Sequence, residues 1–183
     1  KRLGTIRAGL HVLGGLRRTE RAAARTAFAS AVVAELVPAG KTCADVGSGA
    51  GLPGIPMAIA QPDAEFILIE PMERRSNWLK KMVDEIGLTN VRVIRARAEE
   101  VGEVFDIVTA RAVSALPKLL RMTVPLTRDG GEIIALKGSK AGEEIDESKK
   151  LTKKLKIKSF EIVQVGTAHL AEPTTVVLTK LEQ

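Results

Sequence analysis

The chain of 183 residues is short of several things. It has one cysteine, two histidines and no tyrosine, and aromatic side chains make up only 3% of it. With Cys43 alone, no internal disulfide and no cysteine-built metal site can form, and a reducing cytoplasm is the default location. Trp78 and four phenylalanines are too few rings for a surface that stacks single-stranded bases, so a nucleic-acid partner would be held through its phosphates. No window approaches eighteen uninterrupted apolar residues, so no segment is predicted to span a membrane. The opening from Lys1 is basic and lacks the apolar stretch of a secretory signal; it reads as a start inside a longer protein. His11 and His169 stand in unremarkable settings and suggest no catalytic pair.

What is present is an ordinary globular composition, 45% hydrophobic and 27% charged, long enough for one domain with a substantial core. A formal net charge of +6 and a pI near 9.6 favour a polyanionic partner. Residues 1–40 read as an N-terminal helical or irregular segment, with a helix over 22–37 stopped by Pro38-Ala39-Gly40. Residues 41–183 read as the main domain. There "TCADVG" (42–47), "EFILIE" (65–70), "VRVIRA" (91–96), "FDIVTA" (105–110) and "GEIIALKG" (131–138) are predicted strands. Helices are predicted over 53–60, 73–86, 114–126 and 140–155. Strand and helix alternate at short intervals, which predicts a mostly parallel sheet with helices on both faces. Two closing strands, 160–166 and 174–181, have no helix between them and predict one antiparallel strand.

The stretch "ADVGSGAGLPG" (44–54) carries the chemistry. Clustered glycines cost backbone entropy and need a reason, and bare main chain at the carboxyl end of the first strand is where such sheets hold ligands. The helix opening near Pro53 is expected to add N–H groups and positive dipole there. The spacing Asp45-x-Gly47-x-Gly49-x-Gly51 differs from the G-x-G-x-x-G of a dinucleotide loop. An acid two residues before the first glycine repels a pyrophosphate but suits an ammonium. Glu70, ending the second strand, suits ribose hydroxyls. S-adenosylmethionine carries an ammonium, a sulfonium and a ribose, and no phosphate, so it fits better than a nicotinamide or flavin nucleotide.

From "DVGSGAGLPGIPMAIA" onward the chain resembles the RsmG (GidB) family of 16S rRNA guanine-N7 methyltransferases. "LIEPMERRSNWLKK" (68–81), "RAEE" (97–100), "VTARAVSAL" (108–116), "GGEIIALKG" (130–138) and "EPTTVVL" (172–178) follow in the same order. The resemblance, from about residue 30 to the end, implies a class I S-adenosylmethionine-dependent methyltransferase: a Rossmann-like α/β fold with seven strands, the last antiparallel. It implies cofactor contacts from Gly47, Ser48, Gly49, Gly51 and Leu52 in the loop, Asp45 and Glu70 beside it, and Ala98 and Glu99 around the adenine. Arg111 is implied to face cofactor and substrate. Arg111 or Lys137 is placed to donate to guanine O6 or to hold a phosphate. N7 bears a lone pair and no proton, so its methylation needs alignment more than a base. The implied partner is 16S rRNA or the 30S subunit, acted on by a cytoplasmic monomer. The lysines between Lys140 and Lys158, and Arg2, Arg7, Arg17, Arg18, Arg21 and Arg25, are candidate phosphate contacts. "RAAARTAFAS" (21–30) keeps the family's Arg25 and Ser30 but has Ala23, Thr26 and Ala29 at its other characteristic places. From the residues alone, methylation of a small molecule or protein, or nucleotide binding without catalysis, stays open.

Overall fold

The computed structural model describes residues 18–111 and 114–183. Its elements are α1 (Arg18–Ala31), β1 (Thr42–Val46), α2 (Gly54–Ala60), β2 (Glu65–Ile69), α3 (Glu73–Ile86), β3 (Val91–Ile94) and β4 (Phe105–Arg111). After these come α4 (Leu116–Thr123), β5 (Thr127–Leu136), α5 (Ala141–Ser148), β6 (Ile157–Val165) and β7 (Thr174–Leu181). The seven strands form one sheet in the order β3-β2-β1-β4-β5-β7-β6. β3, β2, β1, β4 and β5 pair in parallel. β7 is antiparallel to both its neighbours.

The period-two alternation of the strands sorts the core into two faces. Ala44, Val46, Ile67, Ile69, Val108 and Ala110 pack with Leu116, Leu119 and Leu120 of α4. Cys43, Phe66, Ile107 and Ile134 pack on the other side with Met57 and Ala58 of α2. Val32, Val33 and Val37 join that second cluster, so residues 32–37 pack into the same core as the sheet. Leu68 meets Ile55, Leu79 and Val83, which seats α3 beside α2.

Two lengths differ from expectation. β5 begins at Thr127 rather than 131, because Thr127 already pairs with Phe105 before a bulge in the ladder. α5 stops at Ser148 and gives way to the short 3-10 turn Lys149–Leu151 instead of running to 155. Lys149 and Lys150 face Lys153 and Lys154 one turn on, and like charges at that spacing oppose a continued helix.

That ending also places the lysines. β6 runs in the same direction as β5, with β7 between them, so its start at Ile157 lies beside Leu181 at the amino edge of the sheet. The Lys156 carbonyl accepts the Glu182 N–H (2.8 Å), and the Glu182 carbonyl accepts the Gly130 N–H (2.7 Å). Lys149 to Lys158 therefore occupy the end of the molecule opposite the carboxyl edge, and not the rim of the glycine loop. Arg2, Arg7 and Arg17 lie outside the described residues.

Candidate active site

The site is built at the carboxyl ends of β1, β2 and β4. After Val46 the chain turns through Gly47 (φ 71°), Gly49 (φ 55°) and Gly51 (φ 80°), left-handed values that side chains resist. The loop is pinned from both sides. Gly47 and Ser48 donate their N–H groups to the Ile69 carbonyl (2.9 and 3.1 Å), and Gly51 donates to the Ser48 carbonyl (2.7 Å). The Ser48 hydroxyl donates to the Asp45 main-chain carbonyl at 2.8 Å.

Glu70 clamps the same loop. One of its oxygens accepts the Gly49 N–H and the other the Met72 N–H, both at 3.0 Å. The residue is 3% exposed. Each oxygen keeps a second lone pair able to accept a further donor.

Asp45 is the more telling residue. It is buried, its Oδ2 accepts the Gly54 N–H (3.0 Å), and its Oδ1 has no partner among the described residues. Burial, with the nearby Glu70 charge, pushes its carboxyl up to about 7, opposed only in part by the Gly54 N–H, the Ser48 hydroxyl and the charge of Arg111. A buried acceptor without a partner is costly in an isolated chain and favourable once a cation arrives.

The start of α2 differs from the sequence expectation. Its first N–H groups do not open toward a ligand: Gly54 donates to Asp45 and Ile55 to the Gly51 carbonyl (2.8 Å). The place where a dinucleotide loop grips pyrophosphate is filled by a carboxylate. The donor set thus fits a cationic, phosphate-free nucleoside, and S-adenosylmethionine meets that description.

A cleft of about 530 Å³ continues from the loop, lined by Gly47, Ile69, Met72, Ala96, Ala98 and Glu99. Ala98 to Glu100 form a short turn after β3, with Ala98 buried and Glu99 exposed. The apolar floor and the Glu99 carboxylate suit a purine ring. Leu52 is half-buried at the far end of the loop.

A second pocket, about 460 Å³, lies at the ends of β4 and β5 and is lined by Thr26, Ala29, Ser30, Arg111, Lys137 and Thr174. Arg111 ends β4 and lines this pocket, and its charge works to lower the Asp45 carboxyl. Lys137 is more constrained than expected. Its ammonium donates to the Ser114 carbonyl (2.9 Å) and to Glu144 Oε2 (2.7 Å).

Sequence reasoning did not single out Thr26, Ala29, Ser30 and Thr174 as lining residues. The available signal was the departure from the family pattern at Thr26 and Ala29, both of which face this pocket. α1 is held over it by the Thr174 hydroxyl, which donates to the Ala29 carbonyl (2.9 Å). No cluster of His, Cys, Asp and Glu among the described residues is arranged to hold a metal ion.

Sheet order, the antiparallel seventh strand, the loop after β1 and the orphan carboxylate define a class I S-adenosylmethionine-dependent methyltransferase. Solved structures agree on the fold. M. jannaschii TYW2 in complex with AdoMet aligns with a TM-score of 0.64 at 21% identity, over 82% of this chain and 72% of that one. An S-adenosylmethionine-dependent O-methyltransferase from Thermotoga maritima aligns with a TM-score of 0.61 at 14% identity, over 84% and 64%.

The chain belongs to the GidB family, described as rRNA small subunit methyltransferase G, whose profile matches residues 10–172. The ribosomal RNA small subunit methyltransferase G of Pseudarthrobacter chlorophenolicus is 52% identical over 165 residues, 89% of this chain and 76% of the relative. The protein of the same name from Mycolicibacterium smegmatis is 45% identical over 181 residues, 94% of this chain and 76% of the relative.

Proposed function

We propose that this chain methylates N7 of a guanine in 16S ribosomal RNA, using S-adenosylmethionine as donor and acting as a cytoplasmic monomer on the RNA or the 30S subunit. The observation that carries the cofactor half is Asp45 Oδ1, a buried acceptor beside a glycine loop whose helix offers no phosphate anchor. Family membership supports the RNA half, against a small-molecule or protein substrate and against a module that only binds nucleotide.

Bound S-adenosylmethionine supplies a methyl group on a positively charged sulfur. Asp45 holds the ammonium end, Glu70 accepts from the ribose, and the cleft floored by Ala98 takes the adenine. The guanine occupies the Arg111 pocket. Its N7 lone pair forms the new N–CH3 bond, the S–CH3 bond breaks with its electron pair kept on sulfur, and the positive charge passes to the purine. No proton leaves N7, which accounts for a site without a base. Arg111 donates to O6 or to a neighbouring phosphate, and so fixes the ring's orientation.

The test is incubation with methyl-labelled cofactor and either 30S subunits or bare 16S RNA from cells lacking this enzyme. Label is expected on a guanine, at a position cleaved by chemistry specific for 7-methylguanine. Label confined to protein or small molecules overturns the reading. Arg111→Ala is expected to lower the rate by roughly a hundredfold, on the scale of removing one electrostatic donor, while leaving the melting temperature within a few degrees. Unchanged turnover would remove Arg111 from the mechanism.

A further inference from the structure

We infer that Glu144, on α5, is a positioning residue for methyl transfer: it fixes Lys137 as a single aimed donor and balances its charge in the guanine pocket. The inference rests on the proposed function above. One oxygen of Glu144 ties three elements together. Oε2 accepts the Lys137 ammonium from just past the end of β5 (2.7 Å) and the Leu116 N–H at the head of α4 (2.6 Å). Lys137 in turn donates to the Ser114 carbonyl (2.9 Å) in the loop between Arg111 and α4. α4 has no side-chain cap of its own, so its N-terminus is closed from another helix.

The arrangement is enclosed. The Lys137 side chain is 9% exposed and that of Glu144 is 22% exposed. Partial burial works against ionising Glu144, yet Lys137 and the Leu116 N–H outweigh it and hold its carboxyl below the usual range. A lysine ammonium is a compact charge on a flexible stem with three donors. With two donors spent, one N–H remains, and two fixed acceptors restrict where the ammonium can sit.

The charge balance matters to the chemistry. Methylation leaves the positive charge on the purine, and an uncompensated ammonium in the pocket would oppose that transfer at short range. Glu144 supplies the countercharge to Lys137 at 2.7 Å.

A double-mutant cycle tests this, with single-turnover methyl transfer to 16S RNA as readout for wild type, Glu144→Gln, Lys137→Met and the double variant. Gln keeps an oxygen for the Leu116 N–H and removes the charge. Glu144→Gln is expected to lose tenfold or more in rate, with cofactor affinity and RNA KM within threefold of wild type. In the Lys137→Met background the same change is expected to alter the rate by less than threefold, because its effect runs through Lys137. Full activity in Glu144→Gln, or the same loss in both backgrounds, overturns the inference. Should Glu144→Gln unfold, the double variant, which buries no unpaired charge, is compared with Lys137→Met alone; equal rates support the clamp and a tenfold gap overturns it. A wild-type chain that transfers no label to rRNA overturns the function on which this rests, whereas an active wild type with additive losses overturns the clamp alone.

Discussion

Asp45 shows how the residue proposed to hold the cofactor's ammonium is poor for stability. Its unfolded value is the ordinary 3.8 and its folded value is about 7, raised by burial. A raised acid contributes stability that is present below about 4 and lost as pH climbs through 7. The ligand-free protein is therefore weakened between pH 4 and 7 by this group. Asp106 acts in the opposite sense: although partial burial opposes ionisation, the Thr42 N–H and hydroxyl with Lys41 and Arg128 hold it below its ordinary value. Its contribution is lost only in acid. Asp45→Asn is expected to raise the melting temperature of the ligand-free chain at pH 8. The gain is at most about 4 kcal/mol, since the rise from 3.8 to about 7 is some three tenfold steps of about 1.4 kcal/mol each. The same variant is expected to lose S-adenosylmethionine affinity a hundredfold or more. Melting curves and calorimetry check both halves, and a variant that melts lower or still binds defeats the account. In wild type, cofactor affinity is expected to fall as pH drops from 8 to 6, since the ammonium needs the ionised carboxylate. Calorimetry in two buffers of different ionisation heat should register a proton released on binding near pH 7.

At the scale of elements, the β1–α2 unit is a close-fitted support for that carboxylate. A Cβ on Gly54 would collide with the Leu68 side chain and come within 2.7 Å of Asp45 Oδ2. Gly54→Ala is thus expected to cost about 1–3 kcal/mol, the range for overpacking, and to turn Asp45 away from its place. A lowered melting temperature together with weakened cofactor binding is the expected pair; normal binding would show that Asp45 can move without loss. This unit was readable from sequence because Asp45-x-Gly47-x-Gly49-x-Gly51 encodes local backbone geometry, and local geometry is what residue order records directly. Glu144 was not readable. It is one of four acids in a charged helix, and only the meeting of α5, β5 and the loop before α4 separates it from Glu143 beside it.

For the whole molecule, direction within the sheet decides which charges can serve. The alternation of strands and helices was legible in the sequence, and so was the antiparallel closing strand. The position of the lysines was not, because it depends on which way β6 runs. Lys150, Lys153, Lys154 and Lys158 stand at the amino edge, whereas Arg74 and Arg75 are exposed on the first turn of α3, at the carboxyl edge beside Met72 of the cofactor cleft. Replacing the four lysines by glutamine is expected to leave RNA methylation within about twofold. Replacing Arg74 and Arg75 is expected to weaken RNA binding and to flatten its salt dependence by roughly one to two units of slope. The reverse ranking, read from KM against salt concentration, would place the RNA on the far end.

The fastening of α1 to the closing strands sets a timetable for the polypeptide during its synthesis. Thr174 reaches back 145 positions to Ala29, and Gly166 reaches 131 positions to Glu35 (3.4 Å). The cleft beside the glycine loop takes its last wall residue at Met122, whereas the pocket beside Arg111 lacks a wall until Thr174 emerges. The pocket beside Arg111 is thus the last part of the sheet's carboxyl edge to be closed.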